Sequence, residues 1–277
     1  MVRRLTAVAA GVGVMLVGSL AHAQSSGGSF GSQGQFIISA DRLMPVLGYS
    51  RASSTEPQTP PAGVTKVTDS EDSSSLGFFW GGTPAFNAAV PGGIPGAPGT
   101  IPVTNFYTVP RVGFDYVLLP NFTIGGDLIL FFTLGGSTSN EVYNNGGGTT
   151  TTTRNEPTNT TFGLAPRAGY IMHLSDLFSL WLRGGFSFYT LTWKEQFTTG
   201  NTTTTISANY NQFALDLDPQ LVITPFPHFG FTVGLTGDIP LAGGHSFTTN
   251  TGGTTSSISA GSSLMFIGVT GGMVGWF

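Results

Sequence analysis

The chain has 277 residues, of which 9% are charged, with ten Lys plus Arg against 14 Asp plus Glu and a formal charge of −4. An ordinary soluble domain carries roughly 25% charged residues, a disordered chain carries high net charge and few aromatics, and a nucleic-acid binder carries a basic cluster. With 22 Phe, 41 Gly without a period of three, no Cys and a mean hydropathy of +0.17, this chain fits none of those classes, nor collagen.

Arg3 and Arg4, the apolar stretch Ala7 to Leu20 and the small-residue site Ala21-His22-Ala23 read as a secretory signal peptide, 1–23, cleaved after Ala23. A short segment, 24–33, follows. Beyond it no run of 18 apolar residues occurs, so the sequence predicts no transmembrane helix. Hydrocarbon offers no partner to a free N–H or C=O, so the remaining way to span a bilayer is a closed barrel.

The elements alternate as a barrel requires. The first strand, in 34–50, sets Phe36, Ile38 and Ala40 outward against Ser39 and Asp41. Residues 51–102 read as a long external loop, whose cluster Leu76-Gly77-Phe78-Phe79-Trp80 forms a hairpin or packs over the mouth; a ten-stranded barrel using this segment is the alternative. In 103–118, Phe106, Val112, Phe114, Tyr116 and Leu118 oppose Arg111, Gly113 and Asp115. In 121–134, Phe122, Ile124, Leu128, Leu130 and Phe132 oppose Thr123, Gly125 and Asp127. In 159–173, Phe162, Leu164, Ala168, Tyr170 and Met172 oppose Gly163, Arg167 and Gly169. In 177–193, Phe178, Leu180, Leu182, Phe186 and Phe188 oppose Ser179, Arg183, Gly185 and Ser187. The same pattern runs through 206–224, with Gln212, Asp216, Asp218 and Gln220 inward, and 228–240, with Gly230, Thr232, Gly234, Thr236 and Asp238 inward. The last strand, 258–276, brings the count to eight.

Tight turns at Leu119-Pro120, Leu174-Ser175-Asp176 and Pro225-Phe226-Pro227 alternate with long Gly-, Thr-, Ser- and Asn-rich tracts at 135–159, 194–206 and 241–256. The short side reads as periplasmic and the long side as external loops. The threonine runs 149–153 and 202–205 lack an apolar face and are expected as solvated loop.

The predicted inward charges are Asp41, Arg111, Asp115, Asp127, Arg167, Arg183, Asp216, Asp218 and Asp238. Gly113 should face Asp127, with Arg111 and Asp115 diagonal to it; Arg183 should lie opposite or diagonal to Arg167, and Asp238 diagonal to Asp216. An eight-stranded interior barely admits its side chains, so these residues read as a band of Arg–Asp pairs filling the lumen. The excess of acids leaves a second reading, a narrow cation-preferring path. Tyr170, Trp181, Tyr189, Trp193 and Trp276 lie near strand ends and are expected in an interfacial aromatic girdle.

Catalysis has a thin basis here. An outer-membrane enzyme needs a His beside a Ser or an acid near the membrane boundary or mouth. His173 and His228 fall at tight turns, where an interfacial or turn role is expected; His245 sits beside Ser246 in an outer tract without a nearby acid. No metal-ligand spacing, phosphate loop or nucleophile elbow occurs, so no enzyme, metal or cofactor is expected.

The closing Met273-Val274-Gly275-Trp276-Phe277 places Met265, Ile267, Val269, Met273 and Phe277 on one face, and its terminal Phe277 looks like the signal read by the outer-membrane barrel assembly machinery. Gly275 departs from the aromatic usual there. Together with Phe114-Asp115-Tyr116, Pro166-Arg167-Ala168-Gly169-Tyr170 and Trp181-Leu182-Arg183-Gly184-Gly185-Phe186, it resembles the small outer-membrane β-barrel proteins of Gram-negative bacteria, of the eight-stranded, outer-membrane-protein-A-like or W-like kind. The resemblance covers 34–277 and implies an all-β, antiparallel, up-and-down transmembrane barrel. It also implies outer-membrane lipid as its solvent, and periplasmic chaperones and the assembly machinery as partners in biogenesis. A monomer with a structural or surface-interaction role, and a surface ligand held by the loops, is the reading carried forward. A narrow pore is the alternative, and a lipid-modifying enzyme the distant one.

Overall fold

A computed structural model describes residues 29–58, 67–78, 86–89, 100–103, 109–133, 136–143, 149–199 and 202–277; the expected signal peptide and Phe106 lie outside them. The described elements are β1 (Phe36–Gln58), β2 (Val67–Phe78), β3 (Phe86–Ala89), β4 (Thr100–Val103), β5 (Arg111–Leu119), β6 (Phe122–Thr133), β7 (Ser137–Tyr143), β8 (Thr149–His173), β9 (Phe178–Thr199), β10 (Thr202–Leu217), β11 (Gln220–Phe226), β12 (Phe229–Thr251) and β13 (Thr254–Trp276).

All pairings are antiparallel and the sheet closes on itself. β1 pairs with β5 on one side (Phe36↔Tyr116 to Asp41↔Arg111) and with β13 on the other (Ile37↔Trp276 onward). From β5 the ring continues through β6, β8, β9, the β10–β11 pair, β12 and back to β13. β10 and β11 form one stave interrupted at Asp218-Pro219, where the Asp218 N–H still donates to the Arg183 carbonyl at 2.9 Å. The ring therefore has eight staves. At its seam, Phe36 and Phe277 exchange backbone hydrogen bonds of 2.9 and 3.0 Å, and their rings stack at 6.0 Å. β2 pairs with the outer half of β1, from Leu47↔Phe78 to Gln58↔Val67, and adds a hairpin to the ring rather than two staves to it.

Alternation sorts the side chains as the pleat dictates. Val112, Phe114, Leu118, Ile124, Leu130, Phe132, Phe162, Leu164, Phe186, Phe188, Leu235 and Ile267 all stand exposed on the outside. An apolar surface of this extent is unfavourable in water and suits hydrocarbon.

The tracts expected as loops are largely strand. β9 and β10 cover 194–199 and 202–206, pairing Thr199 with Thr202, while β12 and β13 cover 241–256 up to a two-residue turn at Gly252 and Gly253. Both glycines have positive φ (55° and 90°), the backbone that a primed hairpin turn demands. Threonines 149–153 pair with Ser139–Tyr143, and 202–205 pair with 196–199. The solvated-loop expectation failed because it looked for an apolar face. Threonine favours strands through its branched Cβ and cross-strand hydroxyl contacts, here Thr198 with Thr203 and Thr204 with Thr251, each at 3.1 Å.

Three layers fill the interior. At the end with the tight turns, Ile37, Val117, Ile171, Trp181, Val222, Val274 and Trp276 form an apolar floor. Above it lies the charged layer described below. Toward the hairpin end, Ile129, Tyr189, Leu191, Trp193, Tyr210, Phe247, Leu264 and Phe266 form a second apolar layer.

The segment 29–35 plugs the floor. Its buried Phe30 meets Trp181 edge-on at 5.6 Å and Trp276 at 5.1 Å. Gln35 folds the segment back on itself, accepting from the Gly31 and Ser32 N–H groups and donating to the Ser29 carbonyl. Gly34 donates to the Val117 carbonyl and Asn121 donates to the Gly31 carbonyl, tying the plug to the β5–β6 turn. Phe30→Ala should lower stability by about 3 kcal/mol, the usual cost of emptying a buried aromatic site. The checks are the unfolding midpoint in detergent and protease cleavage near residue 30, both of which should shift while the folded band on an unheated gel persists.

Candidate functional site

The charged layer is the main concentration of chemistry among the described residues. Asp41, Arg111, Asp115, Asp127, Arg167, Arg183, Asp216, Asp218 and Asp238 are all buried and face one another across the lumen. A tenth charge joins them, Arg42, which is 2% exposed. Ten of the chain's 24 Lys, Arg, Asp and Glu side chains thus share one cross-section.

They form a single connected network. Arg42 reaches Asp238 at 2.6 Å and Asp216 at 3.2 Å. Arg111 holds the same two acids at 3.3 and 2.6 Å, lies 3.7 Å from Asp127, and donates to the Tyr189 hydroxyl. Arg167 contacts Asp127 at 2.5 Å, Asp115 at 2.6 Å and Asp41 at 2.9 Å. Arg183 closes the set on Asp41 at 3.0 Å and on Asp218. Ser39, Thr236 and Gln220 add hydrogen bonds to Asp41 and Asp218. Aromatic faces bound the layer: Arg183 lies 4.5 Å and Arg167 5.6 Å from the Trp181 ring, and Arg111 lies 5.5 Å from Tyr189. Charges taken from water persist only when paired and hydrogen-bonded in this way.

The register explains the pairing. Gly113 lies opposite Asp127, with Arg111 and Asp115 diagonal, and Gly169 opposite Arg183 leaves Arg167 diagonal to it. Asp216 and Asp238 are directly opposite rather than diagonal. Two carboxylates in direct apposition repel unless shared cations separate them, and both Arg42 and Arg111 bridge this pair. Gly113 leaves the space the network needs, since a Cβ there would run into Ser39 Oγ, the Arg167 guanidinium and Asp127.

Arg42 was not legible from alternation, which sends the neighbour of an inward Asp41 outward. The register of β1 against β13 slips between Ala40 and Met44, and Arg42 takes φ 56°. This bulge turns two consecutive side chains into the lumen. The one sequence signal was Pro45 three residues on, a residue that sheets tolerate at bulges and edges.

Four of the five expected girdle residues belong to the interior. Trp181, Tyr189, Trp193 and Trp276 are all 5% exposed or less and point inward, while Tyr170 stands outside at 48%. Parity decides it: Trp181, Tyr189 and Trp193 share the face of Ser179 and Arg183, and Trp276 alternates with the outward Phe277. Proximity to a strand end was the wrong criterion.

The histidines separate into different settings. His245 is buried in the upper apolar layer, stacked with Tyr210 at 5.4 Å, rather than standing in an outer loop. His228 contacts the Trp276 carbonyl through Nδ1 at 3.0 Å. His173 lies between two partners at the tight-turn end, with Nδ1 3.1 Å from Ser179 Oγ and Nε2 3.1 Å from Asn121 Oδ1. The sequence holds this contact only as an i, i+6 spacing across a turn, which carries no signal by itself.

No family model matches the chain, and no curated protein does. Solved structures similar to it include Ail, the attachment invasion locus protein of Yersinia pestis, at 10% identity over 89% of this chain and 100% of that one, TM-score 0.28. The outer membrane protease OmpT from Escherichia coli is 9% identical over 88% and 97%, TM-score 0.36. The outer membrane channel DcaP of Acinetobacter baumannii is 10% identical over 87% and 99%, TM-score 0.15.

Removing one cation from the network should be costly. Arg42→Ala leaves Arg111 as the one cation between Asp216 and Asp238 and should cost about 3–5 kcal/mol, as for other broken buried pairs. The double variant Arg42→Met with Asp238→Leu removes both partners and should recover much of that loss. Urea titration of the folded barrel in detergent, read by tryptophan fluorescence, measures both. Gly113→Val should cost a further about 1–3 kcal/mol through overpacking, by the same readout.

Proposed function

We propose that the protein is an integral barrel of the Gram-negative outer membrane with a closed lumen, serving a structural and surface-interaction role through its hairpin end. The observation that carries this reading is the filling of the interior at every level, by the apolar floor and its Phe30 plug, the ten-charge layer and the upper aromatic layer. The space among Asp127, Arg167, Arg183, Asp216 and Asp218 amounts to about 10 Å³, about the volume one water needs. A conducting path would need solvated charges, and these are engaged with one another.

The apolar exterior supports the membrane placement, with the tight turns, segment 29–35 and Phe277 on the periplasmic side and the long hairpins outside. The hairpins are rich in Thr, Ser and Asn, and the β1–β2 hairpin adds the acids Glu56, Asp69, Glu71 and Asp72, which suits contact with a polar, hydroxyl-binding surface ligand. Within the ring, closure leaves no strand edge for self-pairing, in keeping with a monomer. Phe277, already half of the closing seam, is the residue proposed for recognition during assembly.

Planar-bilayer recording tests the reading. Purified barrel inserted into a bilayer in molar potassium chloride should give no discrete conductance steps. Steady cation-selective steps that change when Arg42 or Arg183 is replaced by Ala would overturn it in favour of the pore.

A further inference from the structure

We infer that the tight-turn mouth carries an esterolytic site, with Ser179 as nucleophile, His173 as its base and Asn121 orienting the imidazole, acting on the fatty-acyl ester of a membrane lipid. This does not depend on whether the lumen conducts. His173 and Ser179 come from adjacent staves, and Asn121 from a turn between two others. β8 and β9 are registered so that His173 faces Ser179 directly, and Asn121, at φ 68° in the β5–β6 turn, brings its side chain alongside.

The order of contacts assigns the proton. The Asn121 Oδ1 is an acceptor only, so the His173 Nε2 facing it at 3.1 Å carries the hydrogen. The neutral ring then presents a lone pair on Nδ1, and Ser179 Oγ at 3.1 Å donates to it. Nucleophile, base and orienting acceptor follow one another as in an acyl-transfer triad, which geometry and roles define rather than sequence order.

The constellation opens on a cavity of about 700 Å³ lined by His173, Ser179, Phe226, His228 and Trp276 among others, within the size range of small-molecule sites. Ser179 is 3% exposed, so its hydroxyl is sheltered from bulk water. A second, independent feature points to a bound oxygen. The indole Nε1–H of Trp276 is buried without a hydrogen-bond partner among the described residues, a donor available to a carbonyl or carboxylate. Leu174 and Phe226 stand 60% and 59% exposed on the cavity rim, where the apolar exterior ends. An apolar rim beside a polar hydroxyl–imidazole pair suits an ester with a long acyl chain, which favours a glycerophospholipid over a short soluble ester.

The chemistry balances within these groups. Ser179 Oγ adds to the ester carbonyl while its proton passes to His173 Nδ1. The tetrahedral adduct collapses, the C–O bond to the glycerol oxygen breaks, and His173 returns the proton to the leaving alcohol. Water, deprotonated by His173, then adds to the Ser179 acyl ester; the Oγ–acyl bond breaks, His173 gives its proton to Ser179 Oγ, and the fatty acid leaves.

The full chain, folded in detergent, should react with a fluorophosphonate probe at Ser179 and release free fatty acid from phosphatidylethanolamine in mixed micelles. It should act on p-nitrophenyl butyrate more slowly. Ser179→Ala should abolish labelling and lower fatty-acid release at least about 100-fold. Asn121→Gly keeps the positive φ but removes the acceptor, and should slow both reactions; Asn121→Asp should restore them. Each variant is scored only with its heat-shifted gel mobility intact. A folded protein that neither labels nor releases fatty acid overturns the inference, as does activity undiminished in Ser179→Ala. Cleavage of the soluble ester without the phospholipid overturns the substrate class, and an unaffected Asn121→Gly overturns the orienting role.

Discussion

The interior of a closed eight-stave ring is the constraint on which the rest of this molecule depends. Pairing β1 with β13 satisfies the last free backbone groups, and in doing so it fixes a lumen only as wide as the side chains that fill it. Every inward position must then either pack or pair. The floor and the upper layer take the first course, with Trp181, Trp276, Tyr210 and Phe247 occupying space that smaller residues would leave empty. The middle layer takes the second.

Desolvation explains why the middle layer is one network rather than several isolated bridges. A lone Arg–Asp pair leaves guanidinium N–H groups and carboxylate lone pairs without partners, and in a water-poor lumen each omission is costly. Here Asp41 is shared by Arg167 and Arg183, Asp127 by Arg111 and Arg167, and Asp216 and Asp238 by Arg42 and Arg111. Glycines at 113 and 125 keep the walls thin beside these large head groups. The same filling that stabilises the ring removes a water path through it, so the chemistry moves to the two ends. One is a hydroxyl-rich set of hairpins, and the other a sheltered mouth bearing Ser179, His173 and Asn121.

Much of this could be read from the chain before folding. Period-two alternation placed nine of the ten network charges on one face, because the pleat forces successive side chains to opposite sides whatever their partners are. Had the same parity been applied to the aromatics, Trp181, Tyr189 and Trp193 would have been assigned to the lumen as well. The threonine tracts misled in the other direction. Their pairing comes from backbone and hydroxyl contacts, which a search for apolar faces does not detect.

Sequence by itself determined the alternation and the absence of a spanning helix, since each follows from local periodicity and from the hydrogen-bonding demands of the backbone; it favoured eight staves over ten, and the pairing of β2 with β1 alone, off the ring, decided for eight. Tertiary structure alone decided which charges meet. The bulge at Arg42, the direct apposition of Asp216 and Asp238, and the approach of Asn121 to His173 all depend on register between strands distant in the chain. Register is set by the sum of packing across the whole ring, and no local window of residues contains that sum.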